Sequence, residues 1–398
     1  MKARVPRRGI LFVSHDATRT GAPIALLHLL RWFKKNGDRP FSVLLGGGGE
    51  LVGDFEELAN TWSMDCSRWR PDALRRGLLT AAGLGAWGRR AEERDVRRFA
   101  ARRSPALVYA NSIASARVID VLAPQASILT HVHELDFMFD ALSSPSLALL
   151  LGKTSQFVAC SCAVRENLIR GHEVAPERVE TVHESIPVDQ VAAQRPRGHV
   201  LQELHIPADA LLVVGSGTTS WRKGSDLFIQ LARVISRQRP GVYFAWIGGG
   251  SLLEFAQAEH DIRAAELGKK IRFTGGVATP ADYLAAADVF VLTSREDPYP
   301  LVCLEAAVLQ KPIVCFANAG GMPEFVEGDC GFVVPYLDVA AMADRVIYLL
   351  DSSERRLTMG AAARRKVAQR HDISKAAPRI LEIIERTIAQ STLVKTSA

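Results

Sequence analysis

Asp297 and Glu305 stand toward the two ends of SREDPYPLVCLEA, residues 294–306, a Pro-interrupted turn that opens an apolar helix. Two carboxylates so placed could accept hydrogen bonds from the hydroxyls of a ligand. Leu301, Val302, Leu304, Ala306 and Ala307 are all apolar, so Glu305 needs a partner wherever it is buried, and ribose hydroxyls would suit it. The alternative is a capping or solvated acid. The preceding residues, Val289–Thr293, have the pattern of a buried strand, which sets both acids near a strand's C-terminal end, where open α/β sheets bind ligands.

Three small-residue turns offer the complementary chemistry. In GSGTTSWRKGSDLFIQLA, Arg222 and Lys223 immediately precede Gly224 and Ser225, which open a helix, so two cations and a helix N-terminus converge on one spot. That arrangement would hold a diphosphate, or it is an exposed basic loop with a Ser or Asp cap. In HDATRTGAPIALLHLL, Gly21 and Ala22 precede Pro23 at a helix start, which suits an anion as well as any plain strand-to-helix turn. Gly248, Gly249 and Gly250 follow the apolar run Val242–Ile247 and serve either close backbone approach to a ligand or the turn itself. Neither G-x-G-x-x-G nor G-x-x-x-x-G-K-S/T occurs, which removes the usual support for a dinucleotide dehydrogenase or a P-loop protein. In THVHELD, 130–136, alternation puts His131 and His133 on one face, yet no third and fourth metal ligand lies at a recognisable spacing. His133 reads as a hydrogen-bonding group at the edge of a strand.

The elements that must position these residues alternate along nearly the whole chain. Apolar runs predict strands at Ile10–Ser14, Phe41–Leu45, Leu107–Ala110, Ile128–His133 and Phe157–Cys160, with helices such as Ile24–Lys35 and Val164–Arg170 between them. The pattern breaks at Ile186–Pro207, a polar stretch with three prolines and the best linker. It resumes with strands at Leu211–Ser216, Val242–Ile247, Ile271–Thr274, Val289–Thr293, Ile313–Cys315 and Phe332–Val334. Such repetition predicts two parallel, doubly wound α/β sheets with a cleft between their carboxyl edges. The expected domains are 1–195 and 196–372, followed by a helical segment 373–398.

With 398 residues, 48% hydrophobic and 23% charged, the chain can bury two α/β cores. The apolar run after the basic N-terminus is too short for a secretory segment and reads as the first strand, and no run approaches a membrane span. The six cysteines lack regular spacing, so reduced thiols and a cytoplasmic location are expected. The net charge of +6 is uneven: Arg68–Arg103 holds a dense set of arginines with Trp69 and Trp87 among them. This segment is either a solvated helix face or a patch for peripheral contact with an anionic membrane; no nucleic-acid-binding motif accompanies it.

Taken in order, these pieces resemble the family 4 retaining glycosyltransferases of the GT-B fold. The ordered set is the Gly21-Ala22 turn, His133-Glu134, Lys223-Gly224, Gly248 to Gly250, Phe273-Thr274-Gly275, the acid-x7-acid segment Asp297 to Glu305, and GGMPEFVEGDCGFVVP with Gly320, Gly321 and Glu324. The resemblance implies a nucleotide-sugar donor, UDP- or GDP-linked, held by the second domain, and a glycan or lipid-linked acceptor held by the first. It implies that Lys223, helped by Arg222 and the backbone at Gly21 and Ala22, neutralises the diphosphate. Glu305 would bind the ribose, Asp297 would stand near the donor sugar, and His133 would contact the sugar transferred. Gly248, Gly249, Leu301, Val302, Gly320, Gly321 and Glu324 would complete the donor pocket. No cofactor and no obligatory metal are implied, and the last helix would cross back onto the first domain.

Three departures stand out. The family commonly has Arg a turn before the Lys, where this chain has Thr218, and Arg222 is the evident replacement. Pro298 and Pro300 stand where glycines are usual, so two backbone donors toward a sugar are missing. The usual Asn-Gly near the linker is replaced by His183-Glu184-Ser185-Ile186-Pro187. A catalytically inactive sugar-nucleotide or glycan-binding subunit is therefore one rival reading, and a sugar-nucleotide epimerase or phosphorylase of the same fold is another.

Overall fold

The structure, a computed structural model, describes residues 8–64 and 85–396. Two compact units divide the chain: residues 1–160, 164–183 and 374 onward form the first, and residues 161–163 with 184–373 form the second. Each is built on one all-parallel sheet.

In the first unit the strands are β1 (Ile10–Ser14), β2 (Phe41–Leu45), β3 (Asn60–Ser63), β4 (Leu107–Asn111), β5 (Ser127–Val132), β6 (Thr154–Ala159) and β7 (Val179–Thr181), in the order β3-β2-β1-β4-β5-β6-β7. In the second they are β8 (Leu211–Ser216), β9 (Val242–Ile247), β10 (Ile271–Phe273), β11 (Val289–Leu292), β12 (Ile313–Phe316) and β13 (Gly331–Val334), in the order β10-β9-β8-β11-β12-β13. In each sheet the strand order reverses beside the first strand, β1 pairing with both β2 and β4, and β8 with both β9 and β11. Ligands of doubly wound sheets gather at that reversal.

The central strands are apolar on both faces because helices cover both, as parallel sheets require. Phe12 packs edge-to-face on Phe33 and Phe41 with ring centroids 5.8 Å away, and lies 5.0 Å from Tyr109. In the second unit, Phe228, Phe244, Trp246 and Phe316 form the heart of a fully buried cluster. The strands β3 and β7, which periodicity does not predict, are short edge strands reading NTWS and VET.

Two expectations change in detail. The Ile186–Pro207 stretch is not a free connector: it contains a helix, Arg197–Glu203, and its backbone is pinned to Asp282. The N–H groups of Gln194 and Arg195 donate to Asp282 Oδ1 at 2.6 and 3.1 Å, and the Arg195 guanidinium donates to Oδ2 at 2.9 Å. Burial alone would raise the Asp282 carboxyl, but a bond from the Thr279 side chain together with these bonds holds it far below the usual carboxylate range. In addition, Val164–Arg170 is not one regular helix, since the α-helix Cys162–Glu166 passes into a wider turn over Asn167–Gly171.

The helix Ile373–Thr396 belongs to the first unit from Ser374. There Glu385 accepts from Arg39 Nε at 2.7 Å, and Glu180 accepts from Arg379 at 3.0 Å. Much of the Arg68–Arg103 segment, with Cys66, lies outside the described residues. Within the helix Gly85–Arg103, Arg97 donates to the Val121 carbonyl at 2.8 Å, and Arg103 lies over the Phe99 ring, 3.5 Å from its centroid. Arg94, Arg98 and Arg102 are exposed.

His28, on the helix Gly21–Asn36, carries a stability cost at acid pH. Burial, and secondarily the charge of Arg31, push its imidazole down to about 4. The unfolded chain therefore takes up a proton near pH 6.5 that the folded chain refuses until about pH 4. Stability is lost as pH falls through this window and is unaffected above it. Urea unfolding at pH 7 and pH 5 should show an acid loss about 2 kcal/mol smaller in His28→Leu than in the parent chain. An equal loss in both would contradict this account.

Candidate active site

Loops following β8, β9, β10 and β11 meet at the C-terminal edge of the second sheet. Their backbones are zipped together: Gly217 N donates to Ile247 O at 2.9 Å, Thr219 N to Gly249 O at 2.8 Å, and Gly248 N to Gly275 O at 3.1 Å. Gly248 has φ +143°, and a Cβ there would lie 2.0 Å from the Gly217 carbonyl oxygen. Its missing side chain thus lets two loops touch. Gly248→Ala should destabilise the fold by about 3 kcal/mol, combining backbone strain with overpacking, and a denaturant melt would read this directly. Gly249 is the more open of the pair, its nearest neighbour for a Cβ being Gly276 N at 3.8 Å.

Lys223 sits in the turn that ends at Gly224, whose φ of +69° starts the helix Ser225–Gln238. Thr293 at the end of β11 locks this turn, its hydroxyl donating to the Gly224 carbonyl at 2.9 Å. Held in this way, Lys223 Nζ donates to Asp297 Oδ2 at 2.6 Å, and Ser294 Oγ donates to the same oxygen at 3.0 Å. Asp297 is only 4% exposed. Its own N–H donates to Ala319 O at 2.6 Å, and it forms an isolated parallel bridge with Gly320.

Glu305 is half-buried on the helix Leu301–Val308, which begins directly after Pro300. Cys303, on the same helix, reports on what surrounds it. Its thiol is pushed well above the ordinary value, first by burial and then by the negative charge of Asp297. Leu301 is buried at the helix start and Val302 is half-buried.

Other residues singled out from sequence are held against neighbouring backbone. The Arg222 guanidinium donates to the Glu296 carbonyl at 2.9 Å, and Arg295 N donates to the Arg222 carbonyl at 2.8 Å, so Arg222 braces the loop that carries Asp297. Both oxygens of Glu324 accept backbone N–H groups, from Cys162 and Ala163, at 3.0 Å each. Gly321 N donates to Pro298 O at 3.0 Å, which packs the Gly320-Gly321 turn onto the Pro298–Pro300 segment.

Arg295 went unnoticed in sequence. It grips Asp226 through two bonds of 2.8 and 2.7 Å, donates to the Trp221 carbonyl at 2.7 Å, and is raised above its ordinary pKa chiefly by the Asp226 hydrogen bond. Its position beside the acid segment was the available signal.

At the corresponding edge of the first sheet, His133 lies just past β5 and pairs through Nε2 with Asn111 Oδ1 at 3.1 Å. Asn111 Nδ2 donates to the Ala22 carbonyl at 2.9 Å, which ties His133 to the Gly21-Ala22 turn. The helix there begins at Gly21, so Pro23 is its third residue and not its first. Asn111, a buried amide ending an apolar strand, is a residue the motif reading missed. Glu134 supports the loop by accepting from His133 N at 2.9 Å and from the Ser112 hydroxyl. His131 is fully enclosed, bonded through Nδ1 to the Tyr109 hydroxyl at 2.7 Å, and burial holds its pKa well down.

Residues 199–366 match the family model described as glycosyl transferases group 1. The chain is 31% identical over 206 residues to the D-inositol 3-phosphate glycosyltransferase of Streptomyces scabiei, covering 49% of this chain and 46% of that one. It is 36% identical over 155 residues to the GDP-mannose-dependent alpha-(1-6)-phosphatidylinositol monomannoside mannosyltransferase of Mycobacterium tuberculosis, covering 36% and 39%. The chain thus spans less than half the length of these two curated relatives. Among solved structures, HepE of Anabaena in complex with UDP and glucose matches with a TM-score of 0.79 at 20% identity, over 95% of this chain and all of that one. The two Rossmann-like sheets have the GT-B fold.

Proposed function

We propose that the chain is a retaining glycosyltransferase that moves a sugar from a UDP- or GDP-sugar to a hydroxyl of a glycan or lipid-linked acceptor, in polysaccharide or glycolipid synthesis. The observation that carries this reading is the Lys223–Asp297 contact at the carboxyl edge of the second sheet, followed in the chain by the helix that carries Glu305. An ammonium has three donors; Asp297 takes one and fixes the direction of the others. The remaining two suit the oxygens of a departing diphosphate, whose growing negative charge is what the protein must stabilise. In a front-face route the leaving phosphate accepts the proton of the acceptor hydroxyl, so no protein base is required. Glu305 takes the ribose hydroxyls, and Asp297 stands near the donor sugar. Gly248, Gly249, Leu301, Val302, Gly320 and Gly321 line the donor pocket, with Glu324 shaping it through its backbone bonds and Arg222 steadying its loop. We assign the acceptor to the first unit and the donor to the second.

The relatives support this choice of donor, since one is named for GDP-mannose and HepE was solved with UDP and glucose. The mannosyltransferase relative, named for a phosphatidylinositol mannoside, supports a lipid-linked acceptor. Among the described residues no helix is long and apolar enough to cross a membrane. We place the protein in the cytoplasm, with Arg68–Arg103 as its contact with an anionic bilayer; flotation with anionic and neutral vesicles tests this.

Thermal shift with UDP-, GDP- and ADP-sugars should raise the melting temperature with one nucleotide class, because only the folded state binds it. Product formation should then require an added acceptor and keep the donor's anomeric configuration. Glu305→Ala should weaken nucleotide binding about 10- to 100-fold, the loss of a charged hydrogen-bonding partner. A second reading, a binding subunit without turnover, is favoured by Thr218, Pro298 and Pro300 and by the engagement of Arg222 with the Glu296 carbonyl. It requires nucleotide-sugar binding with neither transfer nor slow hydrolysis.

A further inference from the structure

We infer that His371 is a positioning residue for the segment that carries Asp297, acting through the Tyr299 hydroxyl; this deepens the sugar-transfer reading and rests on it. His371 follows the helix Ser353–Arg370 and is 4% exposed. Backbone bonds hold it on both sides: its N–H donates to Val367 O at 2.8 Å, and its carbonyl accepts from Ile186 N at 3.0 Å. Nδ1 lies 3.0 Å from the Glu184 carbonyl oxygen, and Nε2 lies 3.2 Å from the Tyr299 hydroxyl. A carbonyl can only accept, so Nδ1 carries a proton. In the neutral imidazole Nε2 is then the acceptor and the Tyr299 hydroxyl the donor. The Tyr299 ring centroid is 5.4 Å from the imidazole, and Phe325 meets the imidazole edge-to-face at 5.3 Å.

Tyr299 is also 4% exposed and stands between Pro298 and Pro300. Neither proline has an N–H to give, so the segment must be fixed through other groups. Asp297 N donates to Ala319 O at 2.6 Å and Gly321 N donates to Pro298 O at 3.0 Å, two contacts that run to the loop after β12. The Tyr299 hydroxyl ties the segment to a different part of the second unit, the end of the helix Ser353–Arg370 and the backbone at Glu184. Asp297, two residues before Tyr299, receives Lys223 Nζ at 2.6 Å. A bond that fixes Tyr299 therefore fixes the carboxylate that aims the ammonium.

Steady-state sugar transfer and amide hydrogen exchange, measured on the parent chain, Tyr299→Phe, His371→Phe and the double variant, test this assignment. Tyr299→Phe keeps the ring and its packing and removes only the hydroxyl. Each single variant should lower kcat about 5- to 20-fold and change the donor KM by less than about threefold, because the aim of the ammonium matters most as charge develops. The double variant should lose no more than the poorer single one, since both remove the same bond. His371→Gln, whose amide oxygen can accept in place of Nε2, should recover most of the rate. The Asp297 and Gly321 amides should exchange at least about fivefold faster in Tyr299→Phe. Parent-like kcat in Tyr299→Phe, multiplied losses in the double variant, or no recovery in His371→Gln would overturn the inference. If the parent chain transfers no sugar, the underlying reading fails and exchange alone decides: faster exchange in Tyr299→Phe upholds the anchor, and unchanged exchange overturns it.

Discussion

Lys223→Ala should reduce turnover at saturating donor and acceptor by about 10²- to 10³-fold, or roughly 2.7–4 kcal/mol, as removal of a preorganised electrostatic group does elsewhere. The reason is geometric. Thr293 and Gly224 fix the turn and Asp297 fixes the ammonium, so in the proposed reaction nothing need reorganise when charge appears on a donor diphosphate. Because the interaction strengthens as the bond to the phosphate breaks, the loss should fall mainly on kcat. Lys223→Arg should not restore full activity: a planar fork on a longer stem cannot replace a compact ammonium aimed by one carboxylate. Product formation measured directly decides the matter, and parent-like kcat in the alanine variant would remove Lys223 from the reaction.

Asp297→Ala carries the second large effect, and it should appear first in stability. Asp297 is 4% exposed and receives both Lys223 and Ser294 on one oxygen. Removing it leaves a largely buried ammonium without its counter-charge, the kind of change that costs about 3–5 kcal/mol. Turnover should fall as well, because the ammonium is no longer aimed. The double variant Lys223→Met with Asp297→Leu separates the two roles. If the pair is paid for mainly in function, the double variant should regain much of the lost stability and none of the activity. Thermal melts of the four chains give the coupling; additive losses in both readouts would mean that the pair does not act as a unit.

The parallel architecture was legible in the chain because strands such as Leu211–Ser216 and Val242–Ile247 are buried on both faces and must read as apolar runs. The edge strands Asn60–Ser63 and Val179–Thr181 were not legible, since NTWS and VET lack the apolar run that the edge strands Ile271–Phe273 and Gly331–Val334 keep. The helix Arg197–Glu203 was hidden for another reason. It lies among prolines and polar residues, and what holds the adjoining backbone is Asp282, nearly 90 residues away.

Periodicity and motif order, by themselves, determined that the chain makes two doubly wound sheets and that its acids, cations and glycine turns fall at strand ends. Only the tertiary structure decided who meets whom. Lys223 takes Asp297 across 74 residues; Arg222 takes a backbone carbonyl; Glu324 takes two backbone N–H groups; and Asn111 joins His133 to the Ala22 carbonyl. The physical reason is that hydrophobic patterning encodes how deeply a residue is buried. The partner of a buried polar group is set by which strands lie side by side, and that follows from the order of strands in the sheet.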